Sequence, residues 1–177
     1  MAGVLVKNDQ PQIDKSCGRV SAFAYLRLHG IQCEYDNLCS RVPVSELGSN
    51  VQTLVDCANM FGLPSMAVRA NFQALCKAPL PVIAHCDDYF LAEGLGGVSG
   101  HFVVVIKATP TELQILEPAS GKILDCNIEK FIRSWSGVAI VPERTNAGIE
   151  KTIAIMTWIG WIALAPFIPS RRATGNQ

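Results

Sequence analysis

At 177 residues with fifteen basic side chains against fifteen acidic, the chain has the length of one domain with a short appendage. It carries no net field to hold nucleic acid, which is not an expected partner. An apolar content of 49% supplies a core and excludes an intrinsically disordered protein, while a charged fraction of only 17% points to an apolar stretch outside that core.

Residues 1–10 hold one short apolar patch, broken by Lys7 and Asp9, against the roughly 7–15 apolar residues of a signal peptide. Seven cysteines, an odd number with no C-x-x-C pair, argue against a disulfide scaffold and for a reducing compartment. After Cys17, the residues Val20, Phe23, Ala24 and Leu28 recur at helical spacing, and Gly30 supplies a stop. A second helix is predicted with Ser49 as its cap, a stripe of Val51, Leu54, Val55, Ala58 and Phe61, and Gly62 as its end. Asn71 caps a third, short helix running to Lys77.

From Pro81 the period changes. Segments 81–85, 101–107, 113–117 and 137–141 are rich in Val and Ile and separated by turn signals, so they read as strands. Turns are expected over 107–112, around Pro110, and over 118–121; Asn127 caps a short helix through Trp135. Helices first and an antiparallel sheet second predict an α+β fold over 1–145.

The remainder, 146–177, contains a charge-free run over 152–169 flanked by Lys151 and by Arg171 and Arg172. As a helix it would span about 27 Å, just short of the roughly 30 Å hydrocarbon core. Apolar residues on every face, with Trp158 and Trp161 close together, suit lipid better than one-sided packing. The expectation is a C-terminal hydrophobic helix that anchors the chain in a membrane, with the globular domain facing the cytoplasm.

Cys17 stands at the predicted start of a helix, before Gly18, where the helix dipole favours a thiolate. Against this, most free cysteines are buried structural thiols. His101 opens the apolar strand HFVVVIK directly after the glycine-rich segment 94–100, so its ring can face a cleft. The other histidines have different settings, His29 closing a helix and His85 ending a core strand. Glu117 ends the next strand sixteen residues on; a hairpin would bring its carboxylate beside the imidazole. Nucleophile, base and orienting acid are then all present. The segment EGLGGVSG lacks the G-x-G-x-x-G spacing and precedes a strand, and no G-x-x-x-x-G-K-[ST] occurs. ATP binding is not expected, nor any other cofactor or a metal.

The runs DKSCGRVSAFAYLRLHGI, ELGSNVQTLVDCANMFGL, LPVIAHC, HFVVVIK, LEPASGKIL and FIRSWSGVAIV, in this order, resemble the bacteriocin-processing, double-glycine leader peptidases. These are papain-like cysteine peptidases, usually the N-terminal domain of ABC exporters. The resemblance implies that Cys17 is the nucleophile and His101 the general base. Glu117 stands where the family has an Asp, so one extra methylene must be absorbed. A family Gln shortly before the cysteine, the oxyanion donor together with the cysteine amide, corresponds to Gln12, with Gln10 as the fallback. The implied partners are a peptide with a Gly-Gly leader and a separate ABC exporter. A domain of the same fold that docks export substrates without cutting them is the alternative; a cell-wall amidopeptidase would need a secretion signal, and none is visible.

Overall fold

The computed structural model describes residues 13–45, 48–88, 99–118 and 120–143, all within a compact unit that ends at Glu143. In chain order the elements are α1 (Ile13–Leu28), α2 (Tyr35–Arg41), α3 (Val51–Met60), β1 (Ser65–Arg69), α4 (Phe72–Leu75), β2 (Val82–Asp88), β3 (Ser99–Ala108), β4 (Leu113–Glu117), β5 (Lys122–Asp125), α5 (Ile128–Ser134) and β6 (Trp135–Pro142). The six strands form one sheet in the order β1-β6-β2-β3-β4-β5, with every neighbouring pair antiparallel.

The helix ends follow from local chemistry. Asn50, not the expected Ser49, caps α3, its side chain accepting from Thr53 N at 2.8 Å. Asn71 and Asn127 cap α4 and α5 in the same way. Helices α1 and α3 both close on a glycine in the left-handed region, Gly30 and Gly62. Ile31 N donates to Leu26 O at 3.0 Å and Leu63 N to Ala58 O at 2.9 Å, the six-to-one bond of a Schellman ending.

Alternation along the central strands divides the core in two. Ile83, Phe102, Val104 and Ile140 face one side, where they pack with residues of α1, α2 and α3. Val82, Ala84, Val103, Val105, Ile115 and Ala139 face the other, against Leu75, Phe131 and Trp135. Each Val, Ile, Leu or Phe among them, taken fully out of water, contributes about 1.5–3 kcal/mol. The core is cross-linked by polar contacts: buried Tyr25 on α1 meets Ser65 Oγ at 3.0 Å, and Ser21 Oγ donates to Phe102 O at 3.1 Å.

The fold class is the expected α+β, and β4 and the 107–112 turn stand where expected, Thr109 N donating to Glu112 O. The strict division into helical and strand halves does not hold. Strand β1 lies within the first half yet pairs with β6, at the far end of the unit. The tail, with the expected helix over 152–169, lies outside the described residues. Among the described residues, no helix is long and apolar enough to cross a membrane.

Candidate active site

Helix α1 begins at Ile13, four residues ahead of Cys17 rather than at it. The cysteine therefore follows directly after the residues whose N–H groups lack intrahelical acceptors, and the dipole argument for it is weaker than its expected position implied. What places Cys17 is the crossing of α1 over β3. Ser21 is bonded to Phe102; one turn back along the helix stands Cys17, and one residue back along the strand stands His101.

Gly18 makes the adjoining turn possible. A Cβ at this position would lie 2.6 Å from Ser49 Cβ and 2.7 Å from Ser49 Oγ, so the residue before α3's cap packs flush against the helix beside Cys17. The thiol itself is 6% exposed.

His101 is fully buried, opposite Cys86 on β2. Its Nε2 lies 3.2 Å from Glu117 Oε1, and the carboxylate is also buried. The β3–β4 register, Val104 with Leu116 and Val105 with Ile115, continues to set Glu117 opposite Val103. His101 is then two residues along on the same face, a diagonal neighbour. A diagonal is longer than a direct pair, and the extra methylene of Glu117 is absorbed by that reach. With Nε2 turned to the carboxylate, Nδ1 is the ring nitrogen left for the thiol.

Burial acts to push the imidazole down, but hydrogen bonding to the side chains of Cys17 and Glu117, and their charges, outweighs it and raises His101 from 6.5 to about 9. The ring is accordingly a cation at neutral pH, set beside a thiol and a carboxylate. Elsewhere burial pushes the thiols up: Cys57 and Cys86 to about 12, Cys126 to about 11, with Cys33 and Cys76 also raised.

The structure thus brings together Cys17, His101 and Glu117. Gln12 and Gln10, and residues 89–98 ahead of β3, lie outside the described residues. His29 serves the fold, its Nε2 2.9 Å from Pro81 O and its ring against Tyr25. The contact of Gly18 with Ser49 beside Cys17 is not predicted by the spacing, and the Cys-Gly pair is its one signal in the sequence. Among the described residues, no three of His, Cys, Asp and Glu are grouped to hold a metal ion.

The model of the Peptidase C39 family matches residues 8–147. The chain belongs to this family, and is a cysteine peptidase domain. Among relatives, it is 25% identical over 152 residues to the lactococcin-G-processing and transport ATP-binding protein LagD of Lactococcus lactis subsp. lactis, covering 83% of the chain and 20% of that protein. It is 29% identical over 134 residues to the pediocin PA-1 transport/processing ATP-binding protein PedD of Pediococcus acidilactici, covering 73% and 18%. The chain spans about a fifth of the length of these relatives.

Two solved structures share the fold of this C39 domain. A double glycine motif protease from an AMS/PCAT transporter, in complex with the leader peptide, matches with TM-score 0.62 and 23% identity over 80% of this chain and 91% of that one. The peptidase domain of Streptococcus ComA, a bi-functional ABC transporter involved in a quorum sensing pathway, matches with TM-score 0.59 and 25% identity over 75% and 96%.

Proposed function

We propose that this C39 domain cleaves leader peptides after a double-glycine motif, in support of peptide export, with Cys17 as nucleophile, His101 as general acid and base, Glu117 as orienting acid and Gln12 as oxyanion donor. The observation that carries the reading is His101, buried, bonded to Glu117 at 3.2 Å and raised to about 9 with Cys17 among the causes. An imidazolium held this way stabilises a thiolate beside it and already carries the proton that a leaving amine needs.

In the first step the Cys17 thiolate attacks the carbonyl carbon that follows the second glycine's Cα, and Gln12 is assigned as the donor to the oxyanion. The C–N bond breaks as His101 passes its proton to the leaving amine, which departs as the new N-terminus of the cargo. Water then attacks the thioester, His101 takes its proton, and the leader leaves as a carboxylic acid with the thiolate restored. Glu117 keeps the ring oriented throughout.

The relatives' names supply the context of export, and the partner proposed is a separate ABC exporter. The 152–169 segment is proposed to hold the domain at the cytoplasmic face of the membrane. Alkaline extraction tests this: the full chain should stay with membranes, and release into the supernatant would contradict it. For the activity itself, a synthetic leader peptide ending in Gly-Gly and extended by several cargo residues is incubated with the protein and its products are weighed by mass spectrometry. One cut, after the second glycine, is expected. Tight binding with no product would favour the substrate-docking alternative.

A further inference from the structure

The mechanism leaves one histidine beside the site unused. His85, on β2, shares a sheet face with Ile83, and its ring packs against Phe102 with centroids 5.0 Å apart. Ile83, Phe102 and Cys17 belong to the same side of the core, so His85 stands on Cys17's side of the sheet, on the strand that pairs with the start of β3. Its Nε2 is 3.5 Å from where a Cβ on Gly100 would lie, and Gly100 directly precedes His101. The side chain is 24% exposed.

The ring is fixed in place. Ser136 Oγ donates its one hydrogen to His85 O at 2.9 Å, so at the 3.0 Å contact with His85 Nδ1 the hydroxyl accepts and Nδ1–H donates. Phe102 holds one side of the imidazole and Ser136 its Nδ1 edge. Burial, the largest influence, lowers the affinity of His85 for a proton, against the nearby Asp87 and with the help of His101. The group next to the site is thus neutral at neutral pH and acts by its volume.

We infer that His85 sets the size limit on the substrate: its immobile imidazole occupies the space that a side chain next to the scissile bond would need, which leaves room for glycine. Consecutive Cα atoms of a bound peptide are 3.8 Å apart, so a residue flanking the carbonyl held between Cys17 and His101 comes within reach of the neighbouring strand. Glycine, lacking a Cβ, clears a wall that alanine would strike. The inference rests on the proposed double-glycine activity and names a residue responsible for its selectivity.

The test compares kcat/KM on three leader peptides, ending Gly-Gly, Ala-Gly and Gly-Ala, for the wild type, His85→Ala and His85→Phe. The wild type should strongly prefer Gly-Gly. His85→Ala should raise the rate on at least one alanine peptide, relative to Gly-Gly, by tenfold or more, while His85→Phe, which keeps the bulk, should keep the preference. If His85→Ala does not fold, Ser136→Ala, which frees the ring, should relax the preference in the same direction by about threefold. An unchanged ratio in the folded variants overturns this inference alone. Failure of the wild type to cut any of the three peptides overturns the proposed activity along with it.

Discussion

Glu117 reaches His101 across a diagonal of the β3–β4 hairpin, with Oε1 3.2 Å from Nε2 although the register sets the two residues two positions out of step. The reach suits a glutamate, and an aspartate would fall short by one C–C bond. Glu117→Asp is therefore expected to lower kcat, and Glu117→Gln to lower it further. Loss of the charge leaves a buried imidazolium uncompensated, which for buried pairs costs about 3–5 kcal/mol, so the ring sheds its proton. Steady-state rates at pH 7 check the order, and equal kcat for wild type and Glu117→Gln would show that the acid is not used.

His101 also fixes a pH window. Its value is raised, from 6.5 to about 9, so its contribution to stability is complete below about 6.5 and is lost as pH rises through about 9. Activity should follow, because above about 9 the ring no longer carries the proton for the leaving amine. An alkaline limb of kcat/KM near 9 is expected, moving downward in Glu117→Gln. A limb near 6.5 in the wild type would contradict the buried cation.

Gly18 and Ser49 give the third prediction. With Ser49 Cβ 2.6 Å from the position a Cβ would take, Gly18→Ala forces the helix turn beside Cys17 away from the segment before α3. The variant should fold, yet lose tenfold or more in both kcat and the rate at which iodoacetamide alkylates Cys17. Ser49→Gly removes the obstructing atoms, so Gly18→Ala combined with Ser49→Gly should regain most of both rates. Full activity in the single variant would show that the contact is not needed.

Much of this was legible in the chain. Valine-rich strands and the asparagine caps of α4 and α5 announce themselves through short-range chemistry, and the placing of His101 and Glu117 at the start and end of successive strands points to their meeting in a hairpin. Their diagonal offset was not readable, because register depends on how both strands pair with their neighbours. Strand β1 is not legible in the sequence, because only Ser65 is fully buried along it, leaving no alternation, and its partner β6 lies some seventy residues away. Helix α2 buries Leu38 alone and shows no stripe. Edge strand β5 is mostly exposed. The first turn of α1 lacks apolar periodicity, so the helix begins ahead of the start that the spacing predicts, and Asn50, the neighbour of the expected Ser49, caps α3.

The most direct test of the central claim is cleavage of the Gly-Gly leader peptide by wild type and by Cys17→Ala, measured side by side with peptide binding. The account predicts one cut after the second glycine by the wild type, none by Cys17→Ala, and binding by the variant within a few-fold of wild type, since the thiol is used in chemistry and little in recognition. Undiminished cleavage by Cys17→Ala would contradict it.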